Sequence, residues 1–156
     1  MFEIKAEGLD ELMKALKEFT PQIQKRVLGT AMRNAMKPVM MTARSNARAL
    51  DDPATPSNIS KNIVSQRASK KVMRMAGVRD ADMMQRVGVR GGAKDPQTND
   101  PMNTFYWRFH EFGTSKMAAR PFLRPALAQN QQRTTAIMVD ELKKGIDRTA
   151  RRLAKR

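Results

Sequence analysis

Few residues in this sequence could carry out acid–base or metal chemistry, and they are scattered. His110 is the single histidine of 156 residues, and with Glu111 it lacks the second histidine, four positions along a helix, that a zinc protease needs. The Asp51-Asp52 pair could hold a divalent cation only with further ligands that the sequence does not supply, so we interpret it as solvated loop carboxylates. The absence of cysteine excludes thiolate metal sites and disulfides. We therefore expect no catalytic residues, no metal and no cofactor, and predict that the protein is not an enzyme.

One segment has the glycines and the lysine of a phosphate-binding loop. It runs Gly88-Val89-Arg90-Gly91-Gly92-Ala93-Lys94. A phosphate-binding loop has a different glycine spacing and continues with serine or threonine after the lysine, neither of which is present here. We interpret the segment as a flexible turn after a strand.

The aromatic residues are concentrated in one part of the chain. Of the eight aromatic side chains, six lie between Phe105 and Phe122. Aromatic side chains bury the largest area per residue, so this concentration predicts a packed junction. Phe105, Phe109 and Phe112 have helical spacing, while alternate residues from Phe105 to Phe109 would share one face of a strand. Both remain open, and we favour a short helix over residues 104–111.

The same segment contains an ordered motif. An aromatic run ends in Glu111-Phe112-Gly113-Thr114, and after a short linker the chain continues Arg120-Pro121-Phe122-Leu123-Arg124-Pro125-Ala126. This pattern resembles the lambda gpZ-like neck or tail-completion proteins, the head–tail joining proteins of long-tailed bacteriophages. The order of a helical N-terminal half, a small β region and a C-terminal helix also fits that family.

The resemblance implies a structural virion protein that forms a ring in the phage neck and joins the head connector to the tail tube. Its partners would be further copies of itself, with a hexamer favoured and a dodecamer as the alternative, the head-connector protein, and the tail-terminator or tail-tube proteins. DNA could pass through the channel of the ring, and no membrane is involved. Synthesis would take place in the bacterial host cytoplasm, and the final location would be the virion neck or tail.

The motif is also the candidate for packing and assembly contacts. We expect Glu111 to form charge-assisted hydrogen bonds with Arg120 and Arg124, within or between subunits. The predicted packing junction consists of Trp107, Phe109, Phe112 and Phe122, with the alternative that Phe112 faces a neighbouring subunit. The full set of candidate motif residues is Trp107, Phe109, Glu111, Phe112, Gly113, Thr114, Arg120, Pro121, Phe122 and Arg124.

The chain carries a formal net charge of +15. Such a field attracts polyanions, so the alternative function is a basic nucleic-acid-binding protein. The candidate residues for a polyanion or inter-ring contact are Lys143, Lys144, Arg148, Arg151, Arg152, Lys155 and Arg156. They could face DNA or an acidic patch on the next ring. We favour the protein contact, because DNA must slide past a channel wall without being held tightly.

The length predicts a single domain over residues 1–156, with a basic C-terminal helix end, and the resemblance implies that it is a neck or tail-completion domain. Turn-rich or aperiodic composition indicates mobile loops near residues 50–57, 91–103 and 114–119. No apolar run reaches the ~20 residues that are needed to cross a bilayer.

Hydrophobic periodicity predicts an α+β fold, in which a long bent N-terminal helix and a C-terminal helix pack on a small, mainly antiparallel β-sheet. The long helix should run over residues 21–49 and bend at Pro38, because proline cannot donate the hydrogen bond to Asn34. The C-terminal helix should open at Pro121. The shorter predicted elements are helices over 9–19 and 58–66, strands over 2–6, 71–78 and 83–89, and a turn over 79–82.

Overall fold

Helices make up most of the chain in the computed structural model, which describes residues 8–54, 58–78, 83–90 and 104–155. The helices are α1 (Leu9–Lys17), α2 (Pro21–Ala35), α3 (Lys37–Ala47), a 3-10 helix (Arg48–Leu50), α4 (Ile59–Asn62), α5 (Lys70–Met75), α6 (Trp107–Phe112) and α7 (Leu123–Leu153). The strands are β1 (Ile63–Arg67) and β2 (Gln85–Val89). The predicted α+β class is confirmed. The predicted strand 2–6, turn 79–82 and loop 91–103 lie outside the described residues.

The long N-terminal helix is bent, as predicted, and the structure divides it into α2 and α3. Met36, between the two helices, has φ −83° and ψ −5°, and Pro38 lies in the first turn of α3. Proline has no N–H to donate, and its ring clashes with the carbonyl four residues earlier, so the helix cannot continue straight through this point. The hydrogen bonds resume at once, since the Met40 N–H donates to the Met36 oxygen at 3.1 Å.

The 31-residue helix α7 packs antiparallel to α2 and α3. Near its start, Asn130 donates a hydrogen bond to Thr42 Oγ1 at 2.9 Å. Further along, the Glu141 carboxylate accepts one from Asn34 of α2 at 2.6 Å. Two buried clusters lie along this interface, and α1 packs on the second. The first is Val39, Ala43, Ala47, Ile59, Ile63, Phe122 and Ala126, and the second is Leu16, Val27, Ala31 and Leu142.

Two glycines on these helices should respond to alanine in opposite directions. A Cβ on Gly145 of α7 would lie 2.7 Å from Val27 Cγ1, and a β-branched side chain in a helix has little freedom to move aside. We expect Gly145→Ala to lower the free energy of unfolding by about 1–2 kcal/mol, because overpacking outweighs the gain in helix propensity. A Cβ on Gly29 would meet the end of the flexible Met83 side chain, with Sδ at 3.5 Å and Cε at 3.8 Å, so Gly29→Ala should raise stability by up to about 1 kcal/mol. Urea unfolding measures the free energy of unfolding of both variants. A change in the same direction for both would contradict the close approach of Gly145 to Val27.

The described part of the β-sheet consists of two antiparallel strands held against α3. Ile63 of β1 pairs with Val89 of β2, and Arg67 pairs with Gln85. Arg44 of α3 donates from Nε and Nη2 to the Ile63 carbonyl at 3.0 and 2.8 Å. This guanidinium fixes the start of β1 to the helix, and places Ile63 in the first buried cluster.

The predicted helix over residues 58–66 is wrong beyond Asn62. Residues Ile63–Arg67 form β1 instead. Ile63 and Val64 are β-branched and favour a strand. The strand also depends on β2, which lies about twenty residues later in the chain and is not visible to local periodicity.

The predicted strand over residues 71–78 is also wrong, because Lys70–Met75 form helix α5. The Ser69 hydroxyl accepts a hydrogen bond from the Val72 N–H at 3.3 Å, as an N-cap residue does. Gly77, with φ 74°, ends the helix in the left-handed conformation. The predicted strand over 83–89 is confirmed as β2, with its start two residues later.

Candidate functional site

The centre of the aromatic motif is a buried carboxylate. Glu111 on α6 is only 1% exposed. One of its oxygens accepts hydrogen bonds from the N–H groups of Phe122 at 2.8 Å and Leu123 at 3.0 Å, and the other accepts from the N–H and Nε of Arg124 at 3.1 and 3.2 Å. The first N–H groups of a helix have no partner within it, so Glu111 caps α7 from another element. This cap places the start of α7 at Leu123, two residues after the predicted Pro121.

The charge of Glu111 is stabilised in spite of its burial. Burial by itself raises the pKa of the carboxyl, because it penalises the charged form. Hydrogen bonds from the N–H groups of Leu123, Phe122 and Arg124, together with the Arg124 guanidinium, outweigh burial and lower the pKa below its usual value. The carboxylate is therefore ionised at neutral pH, where it suits the positive end of the helix dipole.

Gly113 turns the chain sharply after α6. It has φ 75° and ψ 177°, a conformation that is essentially restricted to glycine. A Cβ at this position would lie 3.0 Å from the backbone of both Met117 and Ala119. Thr114 and Met117 form a β-bridge, with the Thr114 N–H donating to the Met117 oxygen at 2.9 Å. This folded loop brings Phe122 and the start of α7 back to Glu111.

The four aromatic residues of the predicted junction lie in two different environments. Phe122 is 1% exposed and belongs to the first buried cluster, and Trp107 packs against that cluster. Phe109 and Phe112 are 45% and 65% exposed, so within one subunit only Trp107 and Phe122 pack at the junction, and the exposed Phe112 fits the alternative that it faces a neighbouring subunit. Trp107 and Glu111 are four residues apart on α6 and share its inner face, which turns Phe109 and Phe112 outwards.

Phe112 is exposed but held in place. The Arg124 guanidinium carbon lies 5.5 Å from the centre of its ring, and the Trp107 ring lies 6.4 Å away. Arg124 is fixed in turn by Glu111, since its Nη2 donates to the Glu111 carbonyl at 2.6 Å. Arg120, expected as a second partner of Glu111, instead donates its backbone N–H to the His110 oxygen at 2.7 Å. Among the described residues, the ion pair of Glu111 is with Arg124.

His110 is a half-buried side chain beside Tyr106, with the ring centres 6.0 Å apart. Burial, and then the positive charge of Arg120, lower the pKa of its imidazole. The ring is therefore neutral at neutral pH. In the part of the chain that the structure describes, no group of three or more His, Cys, Asp or Glu side chains could hold a metal ion.

The C-terminal cations line one wall of a groove between α2 and α7, of about 420 Å³, which we call the basic groove. Its floor is the close contact of Gly145 with Val27. Of the predicted contact residues, Lys143 is exposed elsewhere on α7 and Arg156 lies outside the described residues. The cations of the basic groove are Arg26 on α2 and Lys144, Arg148, Arg151, Arg152 and Lys155 on or just after α7.

The roles of two residues, one in the basic groove and one at the start of α4, were not identified from the sequence. Arg26 completes the basic groove, but only the packing of α2 against α7 brings it there. Asp51 is not a solvated loop carboxylate: it accepts hydrogen bonds from the N–H of Ile59 at 2.6 Å and from the N–H and hydroxyl of Ser60. It therefore caps α4. Asp51 lies eight positions before Ile59, outside the N-cap position, so no local signal in the sequence indicated this role.

Comparison with known proteins identifies one family. A family model described as "Bacteriophage HK97-gp10, putative tail-component" matches residues 10–113, about two-thirds of the chain. The match runs from α1 to Gly113 and includes the first half of the aromatic motif. It confirms the resemblance to a family of phage neck and tail-completion proteins. No curated protein and no solved structure matches the chain. None of the described helices is long and apolar enough to cross a membrane.

Proposed function

We propose, on the premise that this chain belongs to the HK97-gp10-like family of bacteriophage tail components, that it is a structural subunit of the phage neck. Copies of the chain form a ring that joins the head connector to the tail tube. The subunit is synthesised in the host cytoplasm and functions in the virion. Its mechanism is assembly, with no covalent bond made or broken. The observation that carries the proposal is the rigid exposure of Phe112 beside a buried, hydrogen-bonded carboxylate.

Phe112 has the properties of an interface anchor. Aromatic and arginine side chains dominate the binding energy of many interfaces, and Phe112 and Arg124 stack on each other at the surface. Because Glu111 fixes Arg124, the pair has little freedom left to lose when a partner covers it. An exposed and preorganised apolar surface of this kind supports contact with a neighbouring subunit.

The neighbour that we assign to this surface is a second copy of the chain. A ring closes when one surface of each copy contacts a different surface of the next. We favour six copies, because the tail tubes of this class of phage are six-fold, and keep twelve copies as the alternative that matches a head connector. The two open faces of the ring would then contact the head-connector protein and the tail-terminator or tail-tube proteins.

Replacing Phe112 by serine should disrupt assembly and leave the subunit folded. The Phe112 side chain is 65% exposed in the subunit, so its loss removes little buried area from the fold. The same loss removes the anchor of the interface between subunits. Size-exclusion chromatography with light scattering should show the wild-type oligomer dissociating to the 17.7 kDa chain in the variant. The circular dichroism spectrum of the variant should match that of the wild-type protein, and its melting temperature should fall only by the stabilisation that assembly supplies.

Met75→Ser is the matched control, because Met75 on α5 is 79% exposed and lies outside the motif. It should leave the oligomer intact. A Phe112→Ser protein with the wild-type oligomeric mass would reject this surface as the ring contact. A native mass of the wild-type assembly that corresponds to neither six nor twelve copies would reject the proposed stoichiometries.

A further inference from the structure

We propose that the basic groove binds the phosphate backbone of duplex DNA without reading its sequence. The inference concerns α2 and the end of α7, at the opposite end of α7 from the aromatic motif. It stands whether or not the chain forms a ring, because the groove is complete within one subunit.

The cations of the basic groove are largely uncompensated. Among the residues that the structure describes, six cations line the groove, and Glu141 is the one carboxylate beside them. Glu141 already accepts a hydrogen bond from Asn34 at 2.6 Å. In the described residues, Lys144 pairs with Asp140 at 2.7 Å, and the other five cations form no ion pair. A concave surface with this excess of positive charge attracts a polyanion, and its arginines match the geometry of phosphate oxygens.

The positive surface continues across α2. A second hollow, of about 240 Å³, shares Arg26 and Thr30 with the basic groove and reaches the edge of the β-sheet. It adds Lys25, Arg33 and Arg67. Cations are therefore distributed on both sides of α2, with Arg26 common to the two hollows. Duplex DNA carries one charge per ~1.7 Å of axis, and a row of cations of this kind can neutralise several successive phosphates.

The composition of the groove favours nucleic acid over an acidic protein. The buried centre of a protein–protein interface is depleted in charge and enriched in aromatic residues, whereas protein–DNA interfaces are strongly positive. In the described part of the chain, no aromatic residue lines the basic groove, and its apolar lining is Ile23 and Val27. The same absence favours duplex over single-stranded DNA, because single strands are usually held by stacking bases on aromatic rings. From the sequence alone we favoured a protein contact for these cations; the geometry of the groove reverses that preference.

The test is the salt dependence of binding to a random-sequence duplex, measured by fluorescence anisotropy. The groove variant carries Arg26→Gln, Arg148→Gln and Arg152→Gln. The control variant loses the same charge at exposed positions that do not line the groove, through Arg48→Gln, Lys61→Gln and Arg74→Gln. The groove variant should bind roughly tenfold more weakly or worse, and its slope of log affinity against log salt should be shallower by roughly 2–3. The control variant should retain a slope close to that of the wild-type protein.

The single variant Arg26→Gln distinguishes binding in the groove from binding by the C-terminal cations alone. It should reduce the salt slope by roughly one, because Arg26 lies on the opposite wall from the C-terminal cations. Wild-type binding by Arg26→Gln would overturn the groove as the site, as would equal losses in the groove and control variants. A groove variant that binds the duplex normally but no longer binds polyglutamate would assign the groove to an acidic protein and overturn the proposal. All variants change exposed side chains, and unchanged melting curves would show that each is folded.

Discussion

Replacement of Glu111 by alanine is expected to lower the free energy of unfolding by about 3–4 kcal/mol. Three N–H groups at the start of α7 lose their acceptor, and water cannot reach the one on buried Phe122 to replace it. Glu111→Gln should cost less, because its amide oxygen can still accept hydrogen bonds, although the charge-assisted bond to Arg124 is lost. Urea unfolding followed by circular dichroism measures both variants.

The same carboxylate should give the protein a stability loss in acid. The pKa of Glu111 is lower in the folded protein than its ordinary value of 4.5, so the folded state binds fewer protons than the unfolded state in this range. Its contribution is complete above pH 4.5 and is lost as the pH falls towards the folded-state pKa. The decline below pH 4.5 should be shallower in Glu111→Gln, which has no carboxyl to protonate.

Asp140→Asn is the control for Glu111, because it removes a carboxylate whose ion pair with Lys144 is exposed to solvent. Exposed pairs contribute little, so this variant should unfold as the wild-type protein does. A Glu111→Ala protein with the unfolding midpoint of Asp140→Asn would show that α7 does not need the Glu111 cap.

Phe122→Ala is the second change with a large expected effect, a loss of about 3–5 kcal/mol. Phe122 is 1% exposed and packs in the first buried cluster, where α3, α4, β1 and α7 meet. Truncating it removes buried apolar area and leaves a cavity that backbone from four elements cannot easily close. The loss should appear both in the urea midpoint and in the melting temperature.

Phe109→Ala provides the matched comparison, because it is the same substitution on the outer face of α6. Phe109 is 45% exposed, and its aromatic contact is an edge-on one with Phe105 at 6.2 Å. Its loss should cost about 1 kcal/mol or less. Comparable losses for the two variants would mean that the aromatic motif is a single packed unit after all.

Local signals in the sequence were sufficient for helices α2 and α3 and for one strand. The stripe along α2, the proline at position 38 and the alternation before Val89 each act within a few residues, so α2, α3 and β2 could be predicted. The strand β1 could not, because its pairing with β2 depends on residues about twenty positions away. Helix α5 was missed because it has only six residues, too few to show a helical period, and its start is capped by the Ser69 hydroxyl.

The candidate site was predictable in its composition but not in its geometry. The sequence indicated that Glu111 and Arg124 could pair, because both lie in the motif and carry opposite charges. It could not indicate that Glu111 accepts the backbone N–H groups of α7, since this depends on how Gly113 folds the intervening loop. The basic groove likewise depends on which faces of α2 and α7 meet, including the close approach of Gly145 to Val27, and these contacts join residues far apart in the sequence.

Helix α7 has a further mechanical consequence. It is uninterrupted over 31 residues, about 46 Å, with the aromatic motif attached to its first turn and the basic groove at its last turns. A rod of this kind holds its two ends at a constant separation and a constant rotational phase. Removing a single residue from its middle would turn one end by about 100° relative to the other, whereas a seven-residue insertion would nearly preserve the phase and add about 10 Å. The length of α7 therefore fixes the position of one end relative to the other. A neighbouring protein that binds the aromatic end also determines the distance along the helix axis, and the rotation about it, at which the positive end lies.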